Sequence, residues 1–159
     1  MADVVSPEVR SRMMSGIRGK NTKPEIILRK GLHKAGFRFR LHTALPGRPD
    51  MVFAKRKAVI FVHGCFWHGH GCHLFRWPQS RREFWRTKIT GNVTRDRKNI
   101  EMLAAQGWRV GTVWECALKG KNRCEPTRVV KHCAAWLKSS RTSFELAGAD
   151  EKGIAINVL

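Results

Sequence analysis

The sequence predicts a mixed α/β domain in which helices flank a central sheet, and three observations lead there. The hydrophobic patterns run helix, three strands, helix, strand, helix. One stretch, Ala58–Cys72 (AVIFVHGCFWHGHGC), begins as a short β-branched and aromatic run fit for a buried strand. It ends as a glycine-loosened loop of cysteines, histidines, Phe66 and Trp67, a mixture that no core needs, and so presents chemistry at a sheet edge. The third observation is size: 159 residues, 42% hydrophobic, suit one core and leave little room for two.

Each element has a local reason. Ser6-Pro7-Glu8 reads as a helix start, with Val9, Met13 and Ile17 on one thin apolar stripe and Gly16 and Gly19 limiting its length. Such a helix reads as an arm that settles on a partner. Thr22-Lys23-Pro24-Glu25 fits a capping box, and Leu28, Leu32 and Ala35 carry a helical stripe to Gly36. Phe37–Leu41 alternates with period two, as a half-exposed strand does, and Pro46-Gly47-Arg48-Pro49 is a turn. Asp50 then opens the short strand Met51–Phe53, which hairpins through Lys55–Lys57 into the strand ending at His63. Beyond Trp77-Pro78, Arg81–Arg86 looks helical without a clear buried face. Asn92 is expected to cap a helix to about Gln106, with Val93, Ile100, Leu103 and Ala104 as its stripe and Gly107 as its stop. Trp108–Trp114 is a strand, with Glu115-Cys116 just past its end. Glu125-Pro126 opens a last helix with Val129, Cys133, Trp136 and Leu137 on one face, and the residues from Lys138 read as a polar, loosely held tail.

Composition narrows the partners. Thirty-one Lys and Arg against twelve Asp and Glu leave a net charge of +19, with a pI near 10.9. Spread along the chain, with no basic amphipathic helix or polybasic tail, such a charge points to nucleic acid, because neutralised phosphates release counterions. No apolar run approaches the ~20 residues of a membrane helix, and the N-terminus carries no apolar signal region, so a cytoplasmic protein is expected. Five cysteines, an odd number, argue for metal ligation or burial over a disulfide framework.

Three groups of residues can carry chemistry. Cys65, His70 and Cys72 lie within eight residues, and Cys116 follows a strand that could neighbour theirs. Three thiols and an imidazole suit a closed tetrahedral zinc site; the bland alternative makes Cys116 a core thiol. Cys124 and Cys133 read as a loop and a core cysteine. Asp50 lies near the mouth of the loop, where a carboxylate can hold Mg²⁺ and His68 can take a proton from an attacking water. Glu25 and Asp96 are candidate supports, although taken singly Asp50 is a turn residue and Glu25 a cap. Phe66, Trp67 and Trp85, among basic residues, can stack on or wedge between bases, or can plug the loop against the core.

At these residues the chain resembles the very-short-patch mismatch repair endonucleases, the Vsr family. The resemblance rests on Leu45-Pro46-Gly47-Arg48-Pro49-Asp50, on Val59–His68 (VIFVHGCFWH), and on Arg82-Glu83-Phe84-Trp85. It continues through Asn92-Val93 with Arg95-Asp96-Arg97, Gly107-Trp108-Arg109-Val110 and Val113–Leu118 (VWECAL), fading beyond about residue 120. It implies a restriction-endonuclease-like core of the PD-(D/E)xK type with a structural zinc. It implies a Mg²⁺-dependent endonuclease that nicks duplex DNA 5′ of the thymine in a T:G mismatch left by 5-methylcytosine deamination, initiating very short patch repair. By position, Asp50 would be the Mg²⁺ carboxylate and His68 the general base, with His63, Glu25 and Asp96 completing the site. Cys65, His70, Cys72 and Cys116 match the zinc ligands. Phe66, Trp67 and Trp85 match the wedge, Met14 lies in the DNA-packing arm, and Asn92 is a further DNA contact.

Two departures stand out. Val62 stands where some members carry threonine: it serves a metal there equally if the contact is the backbone carbonyl, and one metal is weakened if a side chain is needed. Gly69 and Gly71 thin a histidine run that keeps His68 and His70. The resulting division is an arm at 1–20, an endonuclease domain at 21–138 and a tail at 139–159. The expected partners are mismatched DNA and mismatch-repair proteins, with no membrane, a monomer and the bacterial cytoplasm or nucleoid as its setting. The reading from another class is a non-catalytic zinc module that binds mismatched or distorted DNA.

Overall fold

The structure, a computed structural model, describes residues 6–8, 21–150 and 153–158. A five-stranded sheet runs in sequence order, β1 (Met51–Phe53), β2 (Ala58–His63), β3 (Arg109–Trp114), β4 (Ser143–Asp150) and β5 (Gly153–Val158). Helix α1 (Lys23–Lys34) precedes it, α2 (Arg82–Ala105) joins β2 to β3, and α3 (Pro126–Lys138) joins β3 to β4. The two outer pairs are antiparallel and the inner pairs β2–β3 and β3–β4 are parallel, as helical crossovers allow.

The period-two pattern of β2 sorts its side chains onto two layers. Ala58, Ile60 and Val62 join Met51 and Phe53 beneath α1 and α3, in a core with Leu28, Leu32, Val129, Cys133, Trp136 and Leu137. Val59 and Phe61 face the other way, toward Leu103 and Val110, with Ile100 of α2 against them. All six residues of β2 are buried, so this strand is covered on both faces, as a central parallel strand must be. Lys57 (φ 50°) takes the left-handed position that turns the hairpin into β2.

Four local expectations give way. Phe37–Leu41 forms only one bridge, Arg40 to Val52, and its alternation places the rings of Phe37 and Phe39 against Phe53. Left-handed His42 (φ 55°) and a partner strand of three residues stop that pairing from spreading. Thr22 makes no capping bond; Glu25 instead accepts from the Asn21 N–H, so the reciprocal box closes one residue early and on one side. Helix α2 runs unbroken from Arg82 through Asn92, and within it only Ile89 and Leu103 are buried. Last, the polar segment after Lys138 is no loose tail. Residues of β4 pair with β3, and β5 closes the sheet. The stripe Val9, Met13, Ile17 and the arm residue Met14 fall outside the described residues.

Candidate active site and metal centre

Strands β2 and β3 lie parallel in register, His63 opposite Trp114, so the loops leaving their C-terminal ends emerge side by side. That register brings Cys116 to the Cys/His loop across a gap of 51 residues: its N–H donates to Cys65 Sγ at 3.4 Å. One donor atom each of Cys65, His70, Cys72 and Cys116 lies within 4.8 Å of the others. His70 Nδ1 stands 3.5 Å from Cys65 Sγ and 3.6 Å from Cys116 Sγ. Bonds of about 2.3 Å to sulfur and about 2.0 Å to nitrogen, at the tetrahedral angle, set an S···N edge of about 3.5 Å, so the donor set fits zinc. Cys65 and Cys116 are buried. The hydrogen bond from the Cys65 thiol pulls Cys116 down to about 4, while its counterpart holds Cys65 far above the usual thiol range. The pair thus favours a thiolate on Cys116, the form that binds a soft cation.

The same strand ends open onto a cleft of about 600 Å³ lined by Glu25, Asp50, His63, Trp67, His68 and Asp96. Asp50, one residue before β1, accepts the Val62 N–H through Oδ2 at 2.6 Å. Burial pushes its carboxyl up to about 7, and the facing Glu25 carboxylate adds to the rise. Glu25 is buried at 3% exposure, and its Oε2 takes the Arg29 guanidinium at 2.8 Å. Two carboxyl groups crowded into a buried corner, one of them paired with an arginine, form an oxygen-rich donor set of the kind Mg²⁺ takes.

Across the cleft, His68 Nδ1 meets Asp96 Oδ2 of α2 at 2.5 Å. His68 stacks on His63 with centroids 3.8 Å apart and planes 3° from parallel. Burial drives the His63 imidazole down to about 3, so it is neutral at neutral pH. His63, His68 and Asp96 also come within 4.8 Å of one another. Stacked, parallel imidazoles aim their lone pairs along separate planes, however, and this trio is built to hold a ring rather than to chelate.

Gly69 explains how the loop reaches both sites. At φ 64° it is left-handed, and a Cβ there would meet Val93 and Ile89 of α2 at 2.9 and 3.1 Å. Asn92 Nδ2 then donates to the Trp67 carbonyl at 2.8 Å, which fastens the loop to the helix. Asn92, expected to cap a helix, ties down this loop instead.

Phe66, Trp67 and Trp85 form one aromatic knot with centroids 5.1 to 5.9 Å apart. The sequence reading missed its extension through Phe75 to Trp77, with Phe84 beside Trp85. Trp77 and Phe84 are among the few large apolar side chains left exposed. It also missed Glu115, which lines the cleft and accepts the Cys65 N–H through Oε1 at 3.3 Å. Gly148 and Glu145 of β4 were overlooked as well. The Gly148 N–H donates to Cys116 Sγ at 3.2 Å, and Glu145 Oε1 accepts Trp114 Nε1 at 2.6 Å. Nothing in the local pattern of residues 143–150 signals these contacts.

Comparison with known proteins meets this geometry. Residues 2–74 match a family model described as DNA mismatch endonuclease Vsr. The chain is 43% identical over 155 residues, 97% of each chain, to the DNA mismatch endonuclease Vsr of Escherichia coli strain K12. It is 53% identical over 119 residues, 74% of this chain and 88% of the relative, to the Type II nicking enzyme V.XorIIP of Xanthomonas oryzae pv. oryzae. It is 46% identical over 125 residues, 78% and 89% of the two chains, to V.NmeAIP, a Type II nicking enzyme of Neisseria meningitidis. The E. coli match carries the similarity through the C-terminal strands, past the point near residue 120 where it was expected to fade.

Proposed function

Because the chain belongs to the Vsr family of DNA mismatch endonucleases, we propose that it nicks one strand of duplex DNA 5′ of the thymine in a T:G mismatch. The lesion class is deaminated 5-methylcytosine, and the nick begins very short patch repair. The observation that carries this reading is the cleft itself, with a cation-seeking carboxyl pair on one wall and a carboxylate-held imidazole on the other.

The residues divide the work. Asp96 accepts the Nδ1 proton of His68, which fixes the tautomer with Nε2 as acceptor, so His68 takes the proton of the attacking water there. Neutral His63 supports the ring from one face and adds no charge to oppose the imidazolium that forms. Asp50, with the Val62 carbonyl, would hold Mg²⁺, which supplies the positive charge that polarises the scissile phosphate. Glu25 completes the acidic wall. Phe66, Trp67 and Trp85, already in contact as a knot, open the base stack beside the mismatch. Asn92 sets the height of that wedge through the Trp67 carbonyl and, with Arg95 on its Oδ1, stands at the DNA-facing side of the loop. Cys65, His70, Cys72 and Cys116 hold zinc and keep the loop in shape.

We assign the core to the PD-(D/E)xK type, with residues 21–138 as its body and β4–β5 completing the sheet. Residues 1–20, with Met14, form an arm on the DNA. The enzyme acts as a monomer in the cytoplasm, where mismatch-repair proteins are its natural associates. Among the described residues no helix is long and apolar enough to cross a membrane.

The test is a nicking assay on two labelled duplexes that differ only in a T:G mismatch against the matched pair, with Mg²⁺ and with EDTA. A metal-dependent cut of the thymine strand alone is expected. Tight mismatch binding without a cut under any divalent ion would favour the non-catalytic zinc module.

A further inference from the structure

Trp114 is the wall shared by the two sites. Its indole stacks on the zinc-type ligand His70 at 4.2 Å, 8° from parallel. It also meets His63 edge-on at 5.4 Å and His68 at 6.5 Å. What fixes the indole is Glu145, on a strand that contributes no residue to the cleft: its Oε1 takes the Trp114 Nε1–H at 2.6 Å. The pairing of Thr112 with Glu145 in the β3–β4 ladder places the two side chains within reach.

We propose that Glu145 is a positioning residue for the base His68, acting through the ring of Trp114. This rests on the cleft being the nicking site. Asp96 fixes one edge of the His68 ring and His63 covers one face. His63 in turn is braced only by its neighbours Phe61, Trp114 and His68 among the described aromatic rings. An indole free to rotate about its χ angles would release His63 and let the stack slide. Reacting groups must be held to a fraction of an ångström, and a misplacement of about 1 Å costs about 100-fold in rate. The bond is short and charge-assisted, so it orients the ring as well as retaining it.

The experiment uses the full-length, zinc-loaded protein and steady-state nicking of the T:G duplex. Glu145→Leu, similar in length but without an acceptor, should lower kcat by about 10- to 100-fold with KM changed less than about threefold. Glu145→Gln keeps an acceptor oxygen and should stay within about threefold of the parent in kcat. Trp114→Phe should show the loss of Glu145→Leu, and the double variant no further loss, because both remove the same bond. Independently of turnover, the imidazole ¹H–¹³C resonances of His63 and His68 should move in Glu145→Leu and not in Glu145→Gln, since the indole ring current acts on both.

Full kcat in Glu145→Leu, additive losses in the double variant, or Gln as damaging as Leu would overturn the proposal. So would loss of bound zinc in Glu145→Leu, which would place its effect at the metal. If the parent protein nicks nothing, the reading of the cleft fails instead. Unmoved histidine resonances would then overturn the positioning role on their own.

Discussion

Asp50 dominates the energetics at the scale of single residues. Its folded carboxyl titrates near 7 against an ordinary value of 3.8, the rise coming first from burial. A group whose folded pKa is raised contributes stability fully present below its unfolded pKa and lost as pH climbs through the folded one. Between about pH 4 and 7 the native state therefore surrenders that contribution, on the order of 2–4 kcal/mol. Without magnesium, Asp50→Asn should raise the melting temperature at pH 8 and change it little at pH 4, because the amide can still accept the Val62 N–H. Added Mg²⁺ should stabilise the parent at pH 8 and leave the Asp50→Asn variant unaffected, since only a site that binds the folded state shifts the melt. Equal melts at the two pH values, or equal magnesium effects, would contradict this account. Asp96 makes a second case. Asp96→Asn leaves the shape but allows the wrong His68 tautomer, and kcat should fall by about 10²–10⁴ with duplex affinity retained. Retained turnover would remove Asp96 from the mechanism.

Strand β4 carries most of what is new at the scale of elements. A register shift between Leu146 and Ala149 bulges the strand toward the metal corner. There the Gly148 N–H leaves the ladder for Cys116 Sγ, and the Ala149 N–H goes to the Asn122 carbonyl. A Cβ on Gly148 would stand 2.5 Å from the Cys116 carbonyl oxygen and 2.9 Å from that of Asn122, both backbone atoms. Gly148→Ala should therefore cost about 1–3 kcal/mol and weaken zinc retention against a chelator. A variant with unchanged melting and metal content would mean that the bulge opens freely. Helix α2 is the other element that serves a site before a core. It buries little apolar surface along 24 residues, and its inward side goes to Asp96, Asn92 and the contact beneath Gly69.

Charge is the property of the whole molecule, and its tasks are divided. Arg109 donates to the Arg56, Trp136, Leu137 and Arg141 carbonyls at 3.0 to 3.4 Å, and Arg56 and Arg38 also bind carbonyls at helix ends. Those cations hold the fold, where helix C-termini attract positive charge. Arg29 is likewise taken, by Glu25, so only part of the +19 is left to meet phosphates. Arg109→Met should thus lower stability by about 2 kcal/mol while the salt dependence of duplex binding stays unchanged. Binding itself should fall about 10³-fold or more from 50 to 200 mM salt if six or more phosphates are engaged. Anisotropy titrations against salt check both, and a flat profile would deny the charge its role.

Much of this was legible in the chain alone. Residue type and spacing determined β2, the helix with Val129, Cys133, Trp136 and Leu137 on one buried face, and the metal-type loop. These are local matters, settled by period and by ligand chemistry. Asp50, His68 and Asp96 could be named one by one, since carboxylates and imidazoles are few. Their meeting in one cleft follows from the hairpin and from α2 lying across the sheet. Only the tertiary structure decided that Ser143–Asp150 and Gly153–Val158 are strands. Their pairing energy comes from β3 and from each other, and the segment after Lys138, read alone, is polar and shows nothing of that neighbour. The same holds for Glu145 and Gly148, whose partners lie 31 and 32 positions away. A hydrogen bond between side chains or backbone so far apart leaves no period in the sequence, because it is made by the register of two strands and exists only once the sheet is closed.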